Sequence, residues 1–209
     1  MLTFQLLVRS YRPALLPPAF ARRFQYRDDF ITIEEERHLA AQISAIEFAT
    51  FEMRGVVARR RVKFYGRSYD AVPGPEEPIP EFLFPLRERL AAWANLDPIA
   101  FAMALINEYK ESAPIGWHRD APQYESIAGV SLLSSSRMKL RPYVAPKDVP
   151  KLEGPRKTTH EIELRPRSAY LITGEARQGY EHSIPPVASL RYSITFRTLR
   201  LPGRGTDQG

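Results

Sequence analysis

An α+β fold, with helices laid over a sandwich or barrel of strands, is what this sequence predicts, and three observations lead to it. Two segments before residue 96 carry apolar residues at helical spacing. From Ile99 onward the pattern changes to short apolar runs punctuated by Pro, Ser and Gly, as in strands joined by turns. A chain of 209 residues, 44% of them hydrophobic, can bury one substantial core and is short for two, so a single domain over residues 19–201 is expected.

The N-terminal stretch, residues 1–18, mixes apolar residues with Arg9, Arg12 and three prolines, and reads as an arm laid on the domain. A first helix follows. Thr32 can cap it with Glu35 three positions on, and Leu39, Ile43 and Ile46 then form an apolar stripe. A basic strand, RRRVKFYGRSYD, runs from Arg59 to Asp70. The second helix is expected over 81–95, with Pro85 tolerable only in its first turn and Leu83, Leu86, Leu90 and Trp93 on one face. Phe101, Met103, Leu105, Asn107 and Tyr109 fall on one side of the next strand, which thus begins in the core and ends with two polar groups facing inward. Such inward polarity needs partners or a ligand. Further strands are expected at 127–133, 138–143, 160–164, 168–173 and 191–199. The Pro-rich stretches 72–80 and 142–155 read as loops, and 202–209 as a flexible tail.

Composition narrows the chemistry. The absence of cysteine excludes a disulfide scaffold or disulfide-linked partner, a Cys-ligated zinc site, an Fe–S cluster and a thiol nucleophile. Histidine and carboxylate must carry any metal chemistry. No apolar run approaches the roughly 20 residues of a bilayer span, so no membrane association is expected. The net charge of +6 favours polyanions without singling out nucleic acid.

His118 and Asp120 stand two apart, which puts an imidazole and a carboxylate on one side of an extended strand, and the distant His182 can complete the face. Two nitrogens and one carboxylate oxygen suit Fe(II) and leave the opposite positions open for a co-substrate and dioxygen. Near the C-terminus, RYSITFR sets Arg191, Ser193, Thr195 and Arg197 on one side and Tyr192, Ile194 and Phe196 on the other. An alternating strand of this kind is usually a solvated face, and a lone histidine is usually structural. If the arginine face is inward, it demands an anion, and a dicarboxylate such as 2-oxoglutarate would satisfy it, with Asn107 and Tyr109 supplying neutral hydrogen bonds.

These residues together resemble the AlkB-like Fe(II)/2-oxoglutarate dioxygenases. The family's N-x-Y-x-x-G-x-x-I-x-x-H-x-D run is matched by Asn107, Tyr109, Ile115, His118 and Asp120, with Ser112 at the glycine position. EHSIPP around His182 is similar to the distal-histidine segment, and LRYSITFR to the R-x-N-x-T-F-R strand, with Ser193 replacing asparagine. More weakly the likeness extends from about Leu16 to Leu199. It implies a double-stranded β-helix, or jelly-roll, with N-terminal helices packed on one sheet. It implies His118, Asp120 and His182 as the iron ligands of the catalytic centre. Arg191 would then pair with the distal carboxylate of 2-oxoglutarate, Arg197 and Asn107 would serve the end near the metal, and Tyr109 and Ser193 would assist.

The family's usual chemistry is oxidative demethylation of N-alkylated bases in DNA or RNA, in which 2-oxoglutarate is decarboxylated and the methyl group leaves as formaldehyde. A base must be flipped out of a duplex to reach the metal. On this resemblance, residues 51–72 form a nucleotide-recognition lid. Arg59, Arg60, Arg61 and Lys63 would meet phosphates, Phe64, Tyr65 and Tyr69 would stack on a base, and Trp117 would be another wall. The chain departs from base-repairing relatives where Ala121 and Pro122 replace acidic residues that contact the base's amino group. That departure keeps open an oxygenase acting on a protein side chain or small molecule, and a non-catalytic nucleic-acid-binding module on the same fold. A cytoplasmic monomer is expected.

Overall fold

The structure is a computed structural model that describes residues 18–53, 56–67, 77–145 and 159–200. The arm before Pro18, the tail after Arg200, Tyr69 and the far end of the expected lid lie outside the described residues.

A short helix α1 (Pro18–Ala21) leads into β1 (Phe24–Arg27) and then the capped helix α2 (Ile33–Ser44). The cap forms as the sequence predicts. The Thr32 side chain accepts from the Glu35 N–H at 3.1 Å and the Glu35 carboxylate accepts from the Thr32 N–H at 2.8 Å, satisfying two otherwise orphaned donors. Leu39 and Ile43 are buried, and Ile46 packs beside them from just past the helix end. Strands β2 (Ala49–Met53) and β3 (Val56–Gly66) follow.

The single helix expected over 81–95 is split. Glu81–Leu83 form a 3-10 turn and α3 spans Phe84–Ala94, because Pro85 lacks an N–H and fits only where none is needed, in the first turn. Asn95 ends α3 in the left-handed conformation, φ 55°.

The remaining strands are β4 (Phe101–Tyr109), β5 (Ile115–His118), β6 (Tyr124–Leu132), β7 (Ser136–Pro142), β8 (His160–Leu164), β9 (Ala169–Ile172), β10 (Tyr180–Ile184) and β11 (Arg191–Leu199), with a short helix α4 (Gly174–Gln178) before β10. Among the described residues they make a seven-stranded antiparallel sheet, ordered β1-β9-β6-β11-β4-β3-β2, and a four-stranded one, β5-β10-β7-β8. Helices α2 and α3 cover one face of the larger sheet, burying Leu39, Ile43, Leu86 and Leu90 against Ile106, Ile194 and Phe196. The other face meets the smaller sheet through residues such as Ile127, Met138, Leu140, Ile162, Leu164 and Ile184. This is the jelly-roll sandwich with its helices on one sheet.

Strand β11 lies between β4 and β6 and is covered on both faces. Tyr192, Ile194 and Phe196 enter the helix-side core, while Arg191, Ser193, Thr195 and Arg197 face the cleft between the sheets. The alternation of RYSITFR therefore separates two interiors, one dry and one polar. None of the described helices is long and apolar enough to cross a membrane.

Candidate metal centre and co-substrate cavity

A cavity of about 190 Å³ opens between the sheets, lined by residues from every described strand except β1. At its centre the side chains of His118, Asp120 and His182 offer ligand atoms all within 4.8 Å of one another. His118 is the last residue of β5, and His182 sits directly opposite it on β10. Their rings stand 4.3 Å apart between centroids. Asp120 lies beyond the strand end and returns toward them, its Oδ2 3.7 Å from His182 Nε2.

Each group is prepared for a cation. His118 Nδ1 is 2.9 Å from the Gly116 carbonyl, which can only accept, so Nδ1 carries the proton and the Nε2 lone pair is left open to a cation. Burial, with His118 alongside, pushes the pKa of His182 down to about 3, which keeps its imidazole neutral and its lone pair available. Burial would raise the pKa of Asp120. Arg197 foremost, then the two histidines and Arg177, overcome it and hold the carboxyl well below the usual carboxylate range.

Arg197 Nη2 donates to Asp120 Oδ1 at 2.9 Å and its Nη1 to Thr195 Oγ1 at 2.9 Å. One of the two inward arginines thus finds its anion inside the protein. Arg191 does not. Only 1% of it is exposed, its Nη2 donates to Ser131 Oγ at 2.7 Å, and its Nε and Nη1 have no acceptor. Two buried guanidinium donors aimed into a cavity are a strong demand for a bidentate carboxylate. A diacid fits this residue set. Arg60 Nε takes the Asn107 side-chain carbonyl at 3.1 Å, leaving the Asn107 amide donors for such a ligand.

The profile of the 2OG-Fe(II) oxygenase superfamily matches residues 16–197. The chain belongs to this superfamily. Fe(II), 2-oxoglutarate and dioxygen are accordingly its cofactor and co-substrates, and its likeness is to the AlkB-like members. It is 27% identical over 195 residues to an uncharacterized protein of Acanthamoeba polyphaga mimivirus, covering 84% of each chain. It is also 28% identical to an Arabidopsis thaliana protein named alkylated DNA repair protein ALKBH8 homolog, over 82% of this chain and 57% of that protein. Among solved structures, OsALKBH1 superposes with a TM-score of 0.64 at 15% identity, covering 88% of this chain and 100% of that one. A prolyl-4-hydroxylase of Pseudomonas putida gives 0.54 at 15% identity, covering 86% and 93%. A 2OG-Fe(II) oxygenase family protein of Burkholderia pseudomallei gives 0.61 at 12%, covering 88% and 89%. Likeness this distant establishes the shared jelly-roll.

In this oxygenase the strand period sorts the residues of the expected lid. Arg60, Val62 and Phe64 of β3 face the cavity. Arg61, Lys63 and Tyr65 face the other way, which corrects the expectation that they meet substrate there. Arg61 forms a bidentate pair with buried Glu108 at 2.8 and 3.0 Å, Lys63 pairs with Glu77 at 2.5 Å, and Tyr65 is buried in the helix-side core. Trp117 is likewise displaced. It alternates with His118 on β5, so it lies on the outer face of the small sheet, with the Arg141 guanidinium 4.0 Å from its ring. Asn107, Tyr109, Arg191, Ser193 and Arg197 all line the cavity.

Three contributors escape sequence reasoning. Ser131 orients Arg191. Arg119, between His118 and Asp120, donates to the Gln178 carbonyl at 3.2 Å and lies 3.4 Å over the Tyr143 ring. Arg177, 6% exposed, donates to the backbone carbonyls of Asp120, at 3.0 Å, and Ala121. Together Arg119 and Arg177 cross-brace the segment bearing Asp120 to α4. No local pattern marks a side chain that binds distant carbonyls, although GEARQGYEH does carry an arginine five residues before His182.

Proposed function

We propose that this 2OG-Fe(II) oxygenase oxidatively demethylates N-alkylated bases in DNA or RNA. The bound iron, with dioxygen and 2-oxoglutarate, supplies oxidation of a C–H bond coupled to release of succinate and carbon dioxide. The protein's own part is positioning. His118, Asp120 and His182 would hold the iron on one face, and Arg191, oriented by Ser131, would anchor the keto acid, with Arg197, Asn107, Tyr109 and Ser193 around it.

The observation that carries the substrate reading is the mouth of the cavity. There flat rings alternate with guanidinium groups: Phe51 lies under Arg60 at 4.5 Å, Phe64 is 38% exposed with its ring 6.4 Å from Phe51, and Arg119 stands beside the metal ligands. Exposed rings stack on bases of any sequence, and the arginines attract phosphate. Incubation with iron, 2-oxoglutarate and oligonucleotides carrying N-methylated bases is expected to yield formaldehyde and succinate in equal amounts. Mass spectrometry should show loss of one methyl unit. Uncoupled succinate formation with no methylated oligonucleotide stimulating it would end this reading.

A second reading, oxidation of a protein side chain or small molecule, rests on Ala121. This residue lines the cavity where a carboxylate would receive a base's amino group, a contact worth about 1.5–3 kcal/mol. Salt-sensitive binding of single-stranded oligonucleotide would count against it.

A further inference from the structure

Tyr170 on β9 faces the cavity and belongs to none of the motifs discussed above. It pairs across the sheet with Gly129 of β6. A Cβ placed on Gly129 would meet Tyr170 Cζ at 2.4 Å and its hydroxyl oxygen at 2.6 Å, so the ring lies across β6 in the space that only glycine leaves open.

That position is central. On this face of β6 the residues Ile127, Gly129 and Ser131 stand opposite Arg197, Thr195 and Ser193 of β11. Gly129, over which the ring lies, thus stands in β6 between Ser131, which binds Arg191, and Ile127, which is opposite the Asp120-paired Arg197. A 2-oxo diacid held between Arg191 and the His118, Asp120 and His182 cluster would occupy the cavity that Tyr170 lines.

A ring that only filled space would do as well as phenylalanine, and Tyr170 does stack on Phe24, centroids 6.3 Å apart. Yet Tyr170 is 7% exposed, and among the described residues no group donates to its hydroxyl or accepts from it. A hydroxyl that lines a cavity without a protein partner is available to donate to a ligand held there.

We propose that Tyr170, admitted by Gly129, is a co-substrate-contacting residue that forms the floor of the 2-oxo acid site and limits the length of diacid it accepts. The inference rests on the superfamily's co-substrate and not on the nucleic-acid substrate.

The test is calorimetric titration of the Mn(II)-loaded full-length protein with 2-oxoglutarate and with 2-oxoadipate, one methylene longer, without oxygen or nucleic acid. Tyr170→Phe keeps the ring and should bind 2-oxoglutarate about 5–30-fold more weakly with unchanged Mn(II) affinity. Tyr170→Val deepens the site and should shift selectivity toward 2-oxoadipate by roughly tenfold or more. Native 2-oxoglutarate affinity in Tyr170→Phe overturns the contact, and unchanged selectivity in folded Tyr170→Val overturns the length limit. Should Tyr170→Val fail to fold, Tyr170→Phe decides alone.

Discussion

Arg191 and Arg177 show how differently two buried arginines can serve one site. Arg191 lines the cavity with its Nε and Nη1 unpaired. Replacing it with methionine should weaken 2-oxoglutarate binding by about 3 kcal/mol, roughly a hundredfold or more, while Mn(II) binding persists. A titration of the Mn(II)-loaded variant checks both halves. Arg177 holds backbone instead, clasping the carbonyls that follow the metal-facing carboxylate. Arg177→Met is expected to lower metal affinity about 10–100-fold, as loss of an orienting partner does, and Arg177→Lys to recover part of it through a single bond. Equal Mn(II) affinities in wild type and Arg177→Met would show that the Asp120 segment needs no brace.

Strand β3 teaches the same lesson one level up, because neighbouring aromatics on one strand have opposite fates. Tyr65 is 5% exposed in the core beneath the helices, whereas Phe64 is 38% exposed at the cavity mouth. Tyr65→Ala should cost about 3 kcal/mol or more of stability and leave oligonucleotide affinity unchanged. Phe64→Ala should do the reverse, weakening single-strand binding by about 1–3 kcal/mol with little change in melting temperature. Denaturant titration beside fluorescence binding separates the two. The composition of RRRVKFYGRSYD was legible as basic and aromatic, but its register was not, since a period of two cannot say which set faces inward. Helix α2 was easier. Its capping box and stripe are local, and Thr32→Ala should destabilise the protein by about 1 kcal/mol.

At the scale of the whole molecule, the cleft is a joint between sheets. Ligands that bridge it should stabilise the fold, because His118 and His182 come from the small sheet and Arg191 and Arg197 from the large one. Mn(II) with 2-oxoglutarate at a hundred times its dissociation constant should add about 2.7 kcal/mol, raising the melting temperature by roughly 5–10 °C. A chelator should reverse the shift, as scanning calorimetry can test. The sequence by itself determined the cap of α2, most strand spans, and the identities of the histidines, aspartate and arginines that the cavity gathers, because capping, alternation and side-chain chemistry are properties of near neighbours. Only the tertiary structure decided that Arg197 takes Asp120 as its anion while Arg191 waits for another, and that Arg61, Lys63, Tyr65 and Trp117 turn away from the cavity. It alone brought Arg177 and Tyr170 to the site. Those outcomes depend on which face of each strand is covered and by what, and that is fixed by packing between residues far apart in the chain.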